Sequence, residues 1–169
     1  SASPTYHPDA ECTAVVFIKG DNNIPNTIGT VEQADRWRQT YVVTDSGPAY
    51  RPGKNLYILS PPRPDGTVTP LTNFTDGWVA EPEVSWDGKQ ILFCRRGKEN
   101  PWWHIYRINA DGTGLTKLTS GPYHHVGPAF LPDGRIILAS SRGGIRDEYH
   151  GYLCTSLHVM EADGSDRHQ

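Results

Sequence analysis

The chain has 169 residues, a formal net charge of −3 and a pI near 6.1. That balance, with no basic block longer than Arg95-Arg96, argues against nucleic acid or an anionic membrane as a partner; no apolar run reaches the roughly 18 to 20 residues that span a bilayer. Three cysteines, Cys12, Cys94 and Cys154, with no C-x-x-C spacing, signal neither a disulfide framework nor a covalent haem site. The 17 glycines, 14 prolines, five tryptophans and eight tyrosines belong to turns and strand-packed aromatics, and the chain reads as all-β.

In chain order, Ala14-Val-Val-Phe-Ile-Lys is an apolar segment, followed by a long insertion over residues 20–54. Pro64-Asp-Gly-Thr-Val-Thr-Pro-Leu-Thr then reads as a turn and an outer strand. Val84-Ser-Trp is a first short strand, Trp86-Asp-Gly-Lys a turn, and Gln90-Ile-Leu-Phe-Cys a second strand. Asp-Gly supplies the positive φ of a two-residue hairpin. Trp103-His-Ile-Tyr-Arg-Ile is a third strand, with Trp103, Ile105 and Arg107 on one face and His104, Tyr106 and Ile108 on the other. Asn109-Ala-Asp-Gly turns the chain into Gly114-Leu-Thr-Lys-Leu-Thr, an outer strand.

These segments repeat. Glu81-Pro-Glu-Val-Ser-Trp-Asp-Gly-Lys-Gln-Ile-Leu-Phe and Val126-Gly-Pro-Ala-Phe-Leu-Pro-Asp-Gly-Arg-Ile-Ile-Leu match at Pro82/Pro128, Asp87/Asp133 and Gly88/Gly134, each 46 residues apart. Asp65 and Asp111 are also 46 apart, and Asp111 and Asp163 are 52 apart. A period in the 40s with several short strands per unit is the signature of a β-propeller, and no 3.6-residue apolar stripe supports a helical solenoid. One partial propeller domain over residues 1–169 is expected, with four-stranded blades at about 13–74, 77–121 and 122–169. The first inner strand of the first blade is not recognisable and the last outer strand of the third is missing. Three blades do not close a ring, since propellers take about four to eight. The chain stops at Asp166-Arg-His-Gln, where an outer strand is due, so it reads as cut from a longer parent, with other copies as the second way to complete the ring.

The Pro132-Asp133-Gly134, Ala110-Asp111-Gly112 and Ala162-Asp163-Gly164 turns resemble the TolB-type propeller repeat. The stretch from Gly127 through Arg142, followed by Thr155-Ser-Leu-His-Val-Met-Glu-Ala-Asp-Gly, is similar to the propeller domain of the hydrazine synthase alpha subunit and its planctomycete-like relatives. This resemblance implies a propeller within a larger extracytoplasmic redox protein, periplasmic or secreted. The haem-bearing C-x-x-C-H motif of that family is absent here, so its redox reaction does not carry over.

In a propeller the turns from first to second and from third to fourth strand share one rim, and here they are minimal. The opposite rim receives the insertions at 20–54, 95–102 and 142–154, which marks it as the binding face. There Trp102 and Tyr123 are candidates for stacking on a ligand, and Arg95, Arg96, Arg142 and Arg146 for holding an anion. His124, His125, His150, Glu148 and Cys154 are the candidates for a transition-metal or acid/base site, although none of their spacings is a known ligand motif. For each group the competing reading is packing: blade-to-blade contact for the tryptophans, with Trp103 in the core, loop bracing for the arginines, and buried hydrogen-bonded histidines. The leading functional reading is a non-catalytic scaffold or binding module for a partner protein or small ligand. The alternative is a metal-dependent enzyme, such as a polysaccharide lyase or hydrolase, with a histidine-lined channel mouth.

Overall fold

The structure, a computed structural model, describes residues 12–20, 53–98, 100, 102–146, 148, 151 and 153–169. Among them are ten strands and no helix: β1 (Val15–Lys19), β2 (Asn55–Ser60), β3 (Thr67–Pro70), β4 (Trp78–Val84), β5 (Gln90–Arg96), β6 (His104–Asn109), β7 (Thr116–Lys117), β8 (His125–Phe130), β9 (Ile136–Ser140) and β10 (Ser156–Met160). They form three antiparallel meanders, β1-β2-β3, β4-β5-β6-β7 and β8-β9-β10. This is an all-β, partial propeller.

Alternation along the strands of the middle sheet sends its side chains into two cores. On one face Trp78, Leu92, Cys94, Trp103, Ile105 and Leu118 pack with Val126, Ile136, Leu138 and Met160 of the third sheet. On the other, Val79, Ile91, Phe93 and Ile108 pack with Leu56 and Leu71 of the first. The register explains the split, since Cys94 lies across from Ile105 while Ile91 and Phe93 lie across from Ile108 and Tyr106. Trp103 is fully buried and meets Trp78 edge-on at 5.2 Å.

The opening strands of the second and third sheets carry the same irregularity. The ladder skips between Ala80 and Glu83 in β4 and between Val126 and Ala129 in β8. Pro82 and Pro128 sit inside these bulges, where a proline removes no ladder bond that the pairing needs. The bulged positions have positive φ, 58° at Gly127 and 52° at its counterpart Glu81. A non-glycine residue there is uncommon, and at Glu81 the side chain joins two sheets. Its carboxylate accepts the Gly127 amide at 2.6 Å and the Cys94 thiol at 3.2 Å. Burial and the adjacent Glu81 charge push the Cys94 thiol well above its ordinary range.

The structure corrects several local expectations. The first strand of the middle sheet is Trp78–Val84, and Trp86 lies beyond it in the turn, 69% exposed, with its indole N–H donating to the Phe130 carbonyl at 3.2 Å. The Asp-Gly turns are not two-residue hairpins. In those at Gly88, Gly112, Gly134 and Gly164, the glycine amide bonds to the carbonyl three residues back, as Gly134 does to Leu131, and only the glycine has positive φ. Asp87, Asp111, Asp133 and Asp163 instead accept the amide two residues on, at 2.9 to 3.1 Å. Side-chain hydrogen bonds from Ser85, Thr113, Arg135 and Ser165, followed by these backbone bonds, hold the four carboxyls below the ordinary carboxylate range. The outer strand of the middle sheet shrinks to Thr116–Lys117. The missing fourth strand of the third sheet is present as one bridge, Val159 to His168, closed by two hydrogen bonds of 2.9 and 3.0 Å. The first sheet has no inner strand among the described residues, and 21–52 of the first insertion lie outside them.

The turn geometry makes a graded prediction. At Gly134, φ is +91° and a Cβ meets nothing within 4 Å, so Gly134→Ala costs only backbone strain, about 1–2 kcal/mol. Gly134→Asn is expected to recover part of that loss, whereas Gly164→Ala is expected to cost more because its Cβ runs into the Leu118 carbonyl. Urea unfolding of the three variants checks the order.

Candidate functional site

The link from the middle to the third sheet, residues 120–124, is clamped on both sides. The His125 amide donates to the Trp103 carbonyl at 2.9 Å. The His124 amide donates to the Ser141 hydroxyl at 2.9 Å, and the Ser141 amide returns a bond to the His124 carbonyl at 3.0 Å. Both histidines are therefore drawn inside, and both are buried. The His124 ring stands edge-on to Trp102 at 4.9 Å, and its Nδ1 lies 3.4 Å from the Trp103 amide as acceptor.

His125 faces a different set of groups. Its ring lies 5.8 Å from that of His104 and 6.4 Å from Tyr123. Its Nε2 is 3.1 Å from Arg167 Nη1 and 3.4 Å from the Ser120 carbonyl. A guanidinium only donates and a carbonyl only accepts, so Nε2 serves one of the two; the shorter contact, with Arg167, makes it the acceptor and puts the proton on Nδ1, an atom with no hydrogen-bond partner. Burial first, then the Arg167 charge, lowers the His125 pKa from the ordinary 6.5 to about 3. Burial, followed by Lys117 and His124, lowers that of His104 to about 4.

The other metal candidates lie apart from this arrangement or outside the described residues. Glu148 is exposed, Cys154 is half-buried with its amide bonded to the Ile145 carbonyl at 2.7 Å, and His150 lies outside the described residues. Among the described residues no three His, Cys, Asp or Glu side chains are grouped so as to hold a metal ion.

The arginine candidates divide by what they touch. Arg95 Nη2 binds the Asp76 carboxylate at 2.8 Å and the Asp76 carbonyl at 3.1 Å, and its guanidinium lies 4.1 Å from the Phe74 ring. Arg146 Nη1 bonds the Gly151 carbonyl at 2.6 Å, bracing its own loop. Arg96 is half-buried, and burial lowers its pKa. Arg142 is exposed and lies 5.8 Å over the Tyr123 ring. Of the four, Arg142 stands beside both Tyr123 and the histidine cluster.

Sequence reading missed His104, His158 and Arg167 as members of this cluster. His104 and His158 read as packed strand residues, and Arg167 as part of a chain end. Only antiparallel pairing places the 166–168 segment against β10 and brings the Arg167 guanidinium to His125. A wider hollow, about 630 Å³, lies on the opposite rim between the Asp87-Gly88 and Ala110-Asp111 turns, without an aromatic side chain in its lining.

No family profile and no curated protein matches the chain. Its likeness is to solved propeller structures. A TolB protein from Agrobacterium tumefaciens is 23% identical over 68% of this chain and 40% of its own, with a TM-score of 0.54. Kuenenia stuttgartiensis hydrazine synthase is 18% identical over 89% of this chain and 21% of its own, with a TM-score of 0.61. An oligogalacturonate lyase in complex with manganese is 16% identical over 94% and 38%, with a TM-score of 0.57. The class of fold is thus a TolB-like β-propeller, and the chain spans less than half the length of each of these three structures.

The depressed pKa values of His104 and His125 predict a pH dependence of stability. Their pKa values are about 3 and about 4 in the folded chain and near 6.5 unfolded, so the unfolded state binds more protons between those limits. Stability is expected to be full above pH 7 and to fall between pH 6.5 and 4, a window that opens above the titration of the aspartates. Urea unfolding from pH 7.5 to 5 measures the slope, and His125→Gln should flatten it. A flat profile in the unaltered chain would mean that both imidazoles protonate freely when folded.

Proposed function

We propose that this chain is part of a β-propeller that works as a binding module within a larger extracytoplasmic protein, holding a small ligand or a partner protein on the rim of long connections. The observation that carries this reading is that two aromatic groupings flank the link between the middle and third sheets, Trp102 against His124, and Tyr123 against His125 and Arg142. Aromatic surfaces beside a guanidinium suit ligands with a flat or ring-shaped part and a polar or anionic edge. The test is a thermal-shift panel of sugars, aromatic compounds and anions. A ligand that raises the melting temperature, with the effect lost in Trp102→Ala or Tyr123→Ala, supports the rim; hits indifferent to both changes move binding elsewhere. Elemental analysis of chelator-free protein separates this module from a metal-dependent lyase or hydrolase built on His124, His125 and His150. A stoichiometric metal lost on replacing His124 and His125 would install the enzyme reading instead.

A second part of the proposal concerns what covers the outer sheet faces. Val15, Phe17, Tyr57, Leu59 and Val68 share the face of the first sheet turned away from the middle one, and each is at least partly exposed. Ile137, Leu157 and Val159 form the corresponding face of the third sheet, with Leu157 66% exposed. We infer that further blades, from the rest of a longer chain, pack on these faces in the parent protein. Left alone, copies of the 169-residue chain are expected to associate through them. Light scattering should give a mass above the monomer's 18.8 kDa, reduced towards it by Leu157→Lys. A stable monomer that binds no hydrophobic dye would show that the faces need no cover.

A further inference from the structure

A cleft of about 310 Å³ is lined by Arg142, Gly143, His158, Arg167, His168 and Gln169. We propose that it is a binding site for a small oxyanion, a carboxylate or a phosphate. The proposal rests on the rim as the binding face and adds the chemistry of its ligand.

Three observations on separate segments carry it. His158 is 6% exposed and lines the cleft; its Nε2 lies 3.2 Å from the Ser156 hydroxyl, while its Nδ1 has no hydrogen-bond partner. Arg167 commits Nη1 to His125, and its buried Nε is likewise without a partner. Arg142 and Arg167 enter no ion pair among the described residues, whose pairs join Lys89 to Asp87, Arg95 to Asp76 and Arg135 to Asp133. Buried donors left unmatched are costly, and cations held together without a counter-charge more so.

The electrostatic surroundings are of one sign. The charged and titratable groups acting on His104, His125, His158 and Arg167 are Lys117, Arg142, Arg167, His124, His168 and one another. Among the described side chains no carboxylate is one of them. An oxyanion supplies the absent charge and accepts from two guanidiniums and an imidazole, the donor set that carboxylate and phosphate fit best. Neither metal nor protein cation suits such a cleft.

The experiment titrates the chain with inorganic phosphate and, separately, acetate at ionic strength fixed with sodium chloride. Calorimetry reads binding, and imidazole ¹H–¹⁵N spectra identify the ring that responds. Saturable binding is expected, with the His158 resonances moving and its titration shifting to higher pH as the anion offsets Arg142 and Arg167. Arg142→Gln, an exposed change that should leave folding intact, is expected to weaken binding about tenfold, the equivalent of one charge-assisted hydrogen bond. Stronger binding of phosphate or of acetate tells whether the site favours a tetrahedral or a planar anion. Absence of saturable binding of both anions overturns the proposal, as does binding that Arg142→Gln and His158→Gln leave unchanged. Either failure leaves the rim reading intact if a ligand of the thermal-shift panel still depends on Trp102 or Tyr123.

Discussion

The middle sheet is covered on both faces, and the rest of the structure depends on that. A β-strand sends successive side chains to opposite sides, so β5 and β6 each supply two cores at once. Ile91, Phe93 and Ile108 serve one neighbour, and Leu92, Cys94, Trp103 and Ile105 the other. Exchanging the two sets by a slip of one residue would put Arg107 where Ile108 now packs, which fixes the register. Among the described residues the outer sheets have this support on one side only, with Leu157 and Val15 exposed on their other faces.

The joint between the middle and third sheets is where packing becomes polar. At one point along the opening strands Glu81 spans from its own bulge to that of Gly127 and takes the Cys94 thiol as well. At the long-loop end the link containing His124 and His125 is tied to Trp103 on one side and Ser141 on the other. Buried imidazoles survive there by remaining neutral, and the nearby guanidiniums favour that state. Arg167, together with Arg142, also meets His158 at the cleft. The proposed anion binding and the expected pH response of stability thus spring from one arrangement, since both follow from positive charge gathered around buried rings.

Blade number, the two-faced pattern of Trp103 to Ile108, and the assignment of short turns to one rim and long connections to the other were legible in the sequence. They depend on local chemistry repeated at a fixed spacing: Asp followed by Gly, and apolar residues at every second position. Even so, the turns proved longer than two residues, because the aspartate side chain accepts the amide two residues on and leaves positive φ to the glycine alone. Trp86 was misplaced for a related reason. A proline within Trp78–Val84 reads as an interruption, and only a bulge in the ladder makes it compatible with a strand.

By itself the sequence determined an all-β, repeat-built chain, and it named Tyr123, His124, His125 and Arg142 for one rim, because loop length and turn chemistry are properties of short segments. Which of those residues share an environment was decided by tertiary structure. His125 meets Arg167 across 42 positions of sequence, and the isolated bridge of His168 to Val159 sets that approach. No spacing rule encodes such a contact, since it is fixed by how two sheets pack and by where a final segment pairs. The same packing commits Arg95 to Asp76 while leaving Arg142 at the cleft, a distinction between two like side chains that burial and partners create and that composition does not contain.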